Sequence, residues 1–306
     1  MSGAGGPILR HRSVRRLVPA LAALALLAPS ARGAPLFLWE ASGPGAKVTM
    51  VGSIHVGRPD FFPLPAPFEQ AFAAAPVLAV ELDPMSPANQ AAIARLMLER
   101  GTLPDSLTLR DRLTPANWAG LEALAAEMEL PMSVLERMQP GLVSMMVIMQ
   151  AYGRQGFDPG LGIDMHFLEA AREQGKAVRE LEEVEAQMSL FLDVDDELDD
   201  ILVENMLAEI DSLDTLTSRM VTAWQDGDAA AMDELMQDQA GDDPRMVAYY
   251  RRLLDDRNVT MADSLDSWLR GDEDIFVVVG AGHFAGQRGL PSLLRERGWT
   301  VTQVGE

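Results

Sequence analysis

Two apolar runs stand at opposite ends of this chain, and both lead into Gly-x-x-His. Near the start is Thr49-Met50-Val51-Gly52-Ser53-Ile54-His55; near the end is Phe276-Val277-Val278-Val279-Gly280-Ala281-Gly282-His283. Short apolar runs rich in β-branched residues read as buried strands. A lone strand or hairpin is marginal in water, so the two terminal groups are expected to meet in one sheet. That expectation sets the fold class: α/β, with a mixed central sheet, flanking helices and a helical middle segment. The chain has only four histidines, and two of them end these strands. A glycine lets the backbone turn sharply as it leaves a strand, presenting the imidazole at the sheet's end, where open α/β sheets bind ligands. The two units are therefore expected to act as pseudo-equivalent halves facing one cleft.

The first 33 residues are of another kind. Arg10, Arg12, Arg15 and Arg16 precede an apolar run over 17–28, and Ala31-Arg32-Gly33 follows. A basic start, a short apolar core and small residues at a cleavage point mark a secretory signal peptide. Residues 1–33 are thus expected to be removed, leaving 34–306 as one exported domain, periplasmic or extracellular. The apolar run is shorter than the roughly 20 residues needed to cross a bilayer, and no later stretch qualifies, so no stable membrane span is expected after the leader is lost. With no cysteine in the chain, a disulfide framework, a lipid-acceptor thiol and a cysteine nucleophile are excluded. The net charge is −21, and more negative once the leader's arginines are gone. Such a surface repels nucleic acid, which leaves a peptide or small molecule as the expected partner and makes a cation acceptable.

Residues 36–40 and 47–54, separated by Ser42-Gly43-Pro44-Gly45, read as a hairpin. Residues 77–82 form a buried strand ending in Glu81-Leu82-Asp83, and 177–181 and 300–304 are further strands. Helices are expected over 68–74, 87–100, 115–129, 133–138, 141–152, 163–174, 228–239, 244–255, 258–270 and 290–297. Thr114-Pro115 supplies an N-cap and first helical position, and Gly175 a C-terminal stop. The acidic stretch 193–200 lacks the alternating ligands and glycine of a calcium loop. It reads as a solvated helix start, opening a helical insert over about 193–270.

Glu81 ends an apolar strand, where a carboxylate is costly unless paired or coordinated. Flanked by His55 and His283, it makes a donor set suited to a divalent transition metal: Mn, Co, Zn or Fe. The same residues suit metal-free hydrolysis, with a histidine as general base oriented by Glu81. An ordinary buried ion pair between Glu81 and an arginine is the plain alternative. Asp83 shares Glu81's side if the strand runs that far. Asp164, near the start of the 163–174 helix, is either its N-cap or a further site carboxylate. His166, roughly 200° around the helix from it, faces elsewhere. For Arg257 and Asn258, at a helix junction, the ordinary roles are surface charge and cap. Ser53 and Ser292 carry no local sign of activation. The sequence has no His-Glu-x-x-His zinc helix, no Gly-x-Ser-x-Gly elbow and no Walker loop.

These segments, taken in order, resemble the TraB/GumN family, which includes the TIKI metalloproteases. The likeness rests on Val51-Gly-Ser-Ile-His-Val-Gly57, Ala79-Val-Glu-Leu-Asp83, Gly162-Ile-Asp-Met-His-Phe-Leu168, Leu181-Glu182 with Gln187, Arg257-Asn258-Val-Thr-Met-Ala262 and Val278-Val-Gly-Ala-Gly-His-Phe-Ala-Gly286. The resemblance implies a mixed α/β core and metal-dependent hydrolysis of peptide bonds, as in the TIKI branch. It makes His55, Glu81, Arg257, Asn258, His283 and Asp164 the site residues, with His55, Glu81 and His283 as metal ligands. Two positions depart from the family's pattern: Glu180, where a glycine is common, and His166, where a tyrosine is. The wider superfamily also holds metal-independent esterases and haem-binding proteins. A non-enzymatic periplasmic binding protein for a peptide or haem-like ligand, or a metal-independent esterase, are the alternatives it leaves.

Overall fold

In the computed structural model, which describes residues 34–305, the strands β1 (Pro35–Ser42), β2 (Lys47–Ser53), β3 (Val77–Val80), β4 (Ala177–Glu180), β5 (Ile275–Gly280) and β6 (Thr300–Gly305) form one sheet in the order β4-β3-β5-β2-β1-β6. The expected leader lies outside the described residues. Every residue of β3 and β5 is buried, as befits central strands covered on both faces. β5 enters from the far end of the chain and pairs in parallel with both β2 and β3. β4 extends the parallel part beyond β3, while β1 and β6 add antiparallel strands on the other side. The carboxyl ends of β2, β3 and β5 therefore share one edge.

The helices Pro87–Arg100 and Ile163–Gln174 have the expected bounds. Thr114 caps its helix by accepting from the Asn117 N–H, at 3.4 Å, and Gly175 ends its own at φ 65°. The helix expected over 258–270 starts earlier, as Asp255–Leu269. That shift moves Arg257 and Asn258 off a helix junction and into a first turn facing the sheet edge. The acidic stretch is only partly solvated. Asp199 opens the Asp199–Asp211 helix yet is buried, 3.3 Å from Arg112. Burial pushes its carboxyl up to about 7, with Arg112 offsetting only part. From the helical middle, Trp224 reaches the sheet, donating Nε1–H to the Gly52 carbonyl at 2.7 Å and stacking on Phe61. No helix among the described residues is long and apolar enough to cross a membrane.

Candidate functional site

His55 lies just past the end of β2, Glu81 immediately after β3, and His283 in the 3-10 turn Ala281–Phe284 that follows β5. All three meet at one point. The Nε2 atoms of His55 and His283 are each 3.6 Å from Glu81 Oε1. That oxygen also accepts the Gly280 N–H at 2.6 Å. The other oxygen, Oε2, pairs with Arg257 Nη2 at 2.5 Å. Glu81 is therefore the buried ion-pair partner of an arginine and, through its second oxygen, the meeting point of two histidines. His55, Glu81 and Arg257 line a cavity of about 330 Å³ with Asp164, Gln187 and Phe191; His283 lies buried behind it.

A second ring of side chains sets the imidazoles. Asn258 is buried and donates Nδ2–H to the Arg288 carbonyl at 3.0 Å, which turns its Oδ1 toward His283 Nδ1 at 2.6 Å. Nδ1 must then carry the hydrogen, leaving a lone pair on Nε2 facing Glu81. Burial, with Arg257 and His55 adding to it against Glu81, pushes His283 down to about 4, so the ring is neutral. On the opposite side Asp164 Oδ1 lies 3.2 Å from His55 Nδ1. Partial burial opposes charging of His55, but Asp164 and Glu81 outweigh it and hold the ring well above its ordinary value. Asp164 is in turn fixed by Ser53, whose hydroxyl donates to Oδ1 at 2.6 Å and accepts the Asp164 N–H at 3.1 Å. Arg257 is clamped by Glu182, through Nε at 2.7 Å and Nη2 at 2.5 Å, and donates Nη1–H to the Leu253 carbonyl at 2.9 Å. Burial works to raise the Glu81 pKa, yet the histidines and Arg257 hold it well below the usual range.

The two Gly-x-x-His units are less alike than their sequences. In the β2–β5 register Gly52 sits beside Val279, not Gly280, so the motifs are offset by one residue. The His283 side chain is 3% exposed while that of His55 is 55% exposed. Neither glycine serves a left-handed turn, since neither has positive φ. They provide space instead. A Cβ on Gly52 would lie 2.3 Å from the Phe37 ring, and one on Gly280 would lie 2.8 Å from His55 Nε2 and 3.3 Å from Glu81 Oε1. The cradle between the histidines and Glu81 exists because residue 280 has no side chain.

Other sequence expectations change at this point. Asn258 is no cap and Arg257 no surface charge. Asp83 does not join the site, because β3 ends at Val80. It pairs with Arg172 at 2.7 Å, and its N–H donates to Glu180 at 2.7 Å, the position where the family often has glycine. His166 points away, 2.7 Å from Glu69 and against the Phe62 ring. Asp164 makes no side-chain cap; it meets His55 instead. Ser53 had no local signal, because its partner Asp164 is 111 residues away. Glu182 and Gln187 stand in the family-like segments, yet nothing in their local pattern showed a link to Arg257 and Glu81.

Among the described residues no three His, Cys, Asp or Glu side chains already close into a metal cage. The His55–Glu81–His283 set comes near one. Its 3.6 Å edges compare with roughly 3.3 Å between two ligands each about 2 Å from a tetrahedral ion. Both edges would have to shorten by about 0.3 Å for such an ion to be held. The donor chemistry also fits: each histidine gives its Nδ1 side to an oxygen of Asp164 or Asn258, the usual arrangement behind a metal-binding imidazole. The His283 Nε2 lone pair faces a carboxylate oxygen, a pairing that a cation between them would relieve.

The model of the TraB/PrgY/gumN family matches residues 37–303 of this chain. The chain belongs to that family. It is 26% identical over 246 residues to the uncharacterized protein YbaP of Escherichia coli K12, an alignment spanning 80% of this chain and 87% of YbaP. The YbaP protein of Shigella flexneri is similar to the same degree and over the same shares. No solved structure gives a significant match.

Proposed function

We propose that this chain is an exported hydrolase of peptide bonds whose His55, Glu81 and His283 hold a divalent transition metal. The observation that carries this reading is the convergence of two imidazole Nε2 atoms on Glu81 Oε1, each at 3.6 Å, over a cradle left open by Gly280. A metal bound there supplies Lewis acidity, polarising a carbonyl and acidifying water. The chain's own residues do the rest. Asp164 and Asn258 hold the two rings in the tautomer that points Nε2 inward. Arg257 neutralises Glu81 through Oε2, while Oε1, held by the Gly280 N–H, keeps a second lone pair for the site. Its positive charge on the cavity wall favours an oxyanion developing on a bound carbonyl. Asn258 is buried, bonded to His283 and the Arg288 carbonyl, and does not line the cavity, so it positions His283 and does not contact the oxyanion.

One observation favours a second, metal-free reading. The two histidines are driven apart, His55 up and His283 down to about 4, as in a general acid and base sharing one site. The deciding experiment is metal analysis of the dialysed mature protein beside cleavage of a fluorogenic peptide library, with and without chelator. The metal reading expects bound metal, lost in His55→Ala, and turnover lost on chelation. Turnover that survives chelation supports the acid–base reading, and absence of both metal and turnover overturns the two together.

A further inference from the structure

Away from this site, three helices turn faces toward one another without closing the space between them. Pro140–Arg154 presents Ser144 and Ile148, Asp199–Asp211 presents Met206 and Glu209, and Pro244–Leu253 presents Tyr249 and Leu253. Spacings of three and four residues put each pair on one helix face. The cavity they leave is about 240 Å³, larger than the roughly 150 Å³ apolar cavity that holds benzene. Met145 and Met149, 37% and 36% exposed, lie on its rim, where flexible thioethers adapt to different shapes.

Within this largely apolar lining stands one carboxylate without a cation. Glu209 lines the same cavity and has no ion pair among the described residues; burial alone pushes its carboxyl up to about 7, with no cation to offset it. A carboxylate without a cation on the wall of a largely apolar cavity calls for a donor bearing positive charge.

We propose that this cavity binds a primary amine on a small apolar body, with the ammonium on Glu209 and the body against Ile148, Met206, Tyr249 and Leu253. The proposal stands apart from the hydrolase reading. Phe191 lines both this cavity and the candidate active-site cavity, so the test reads binding directly and not turnover. Calorimetric titration at pH 8 compares 2-phenylethylamine with 3-phenylpropionate, which has a similar body and the opposite charge. The amine is expected to bind about tenfold more tightly or better, the scale of one charge-assisted hydrogen bond. Glu209→Gln should erase that preference, and Ser144→Met, which fills the cavity, should erase binding of both. No saturable binding of the amine overturns the proposal. So does equal binding of the two probes, or a preference that persists in Glu209→Gln, which would reflect only the protein's overall negative charge. Should Ser144→Met fail to fold, Glu209→Gln, near the helix end, carries the decision.

Discussion

Replacing Arg257 by methionine tests whether the site is a charge network or a set of neighbours. Arg257 is 17% exposed at its side chain, and its two partners, Glu81 and Glu182, are each 8% exposed. Methionine keeps much of the volume and leaves two buried carboxylates facing each other without a cation. Breaking a buried pair in this way costs about 3–5 kcal/mol. Glu81 keeps the Gly280 N–H at 2.6 Å and Glu182 keeps Gln187 Nε2 at 3.3 Å, so the lower end, about 3 kcal/mol, is expected. For a domain of this size that lowers Tm by on the order of 6–12 °C. Adding Glu182→Gln removes one of the orphaned charges and should restore about 1–2 kcal/mol. The pH dependence has a definite sign. The wild-type Glu81 pKa lies below its ordinary value, so its contribution is present above the ordinary carboxylate pKa and lost as pH falls through the folded one. The gap between wild type and Arg257→Met should therefore be widest at neutral pH and narrow as the solution is acidified. Urea titrations in chelator, from pH 7 down to about pH 2, measure this. A cost under about 1 kcal/mol at pH 7, or a gap that does not narrow on acidification, refutes the network.

Further substitutions separate site from scaffold. Gly280→Ala places a methyl 2.8 Å from His55 Nε2 at a φ of −50° that alanine accepts. Metal binding and turnover should fall by at least about tenfold while stability changes by less than about 1 kcal/mol; unchanged metal content would show that the cradle is not used. His283→Ala strips the partner from buried Asn258 and should cost about 1–3 kcal/mol in chelator, against under about 1 kcal/mol for the half-exposed His55. Equal costs, read from denaturant melts, would contradict the asymmetry between the two motifs. Asp199 binds its proton more tightly folded than unfolded, at about 7. Its contribution is thus fully present below the ordinary carboxylate pKa and is lost as pH rises toward 7. Asp199→Asn should flatten that part of the stability–pH curve, and an unaltered slope in urea melts between pH 4 and pH 8 rules the effect out. Cleavage of the leader predicts an exported protein beginning near Ala34, and N-terminal sequencing that finds Met1 in the exported fraction refutes it.

What was legible in this sequence follows from what burial costs. β3 and β5 could be read because a strand covered on both faces has to be apolar throughout, as Val77–Val80 and the valines after Phe276 are. Glu81 stood out because a carboxylate ending such a run must be paired. The insertion of β5 between β2 and β3 left no trace in any one segment, because parallel order is decided by how the crossovers pack. The same holds for the residues that set the histidines. Asn258 has the look of a cap near a helix start, and only the earlier start at Asp255, with the Arg288 carbonyl 30 residues on, gives it to His283. Ser53 depends on Asp164 and Arg257 on Glu182, contacts that no periodicity encodes. Gly280 is the sharpest case. A glycine after a strand states that a side chain is not wanted, but not whether the reason is a backbone angle or the room a Cβ would take. Here it is the room, and the atoms that need it are His55 Nε2 and Glu81 Oε1. The strand-end glycine therefore marks a close approach of side chains and not a left-handed turn.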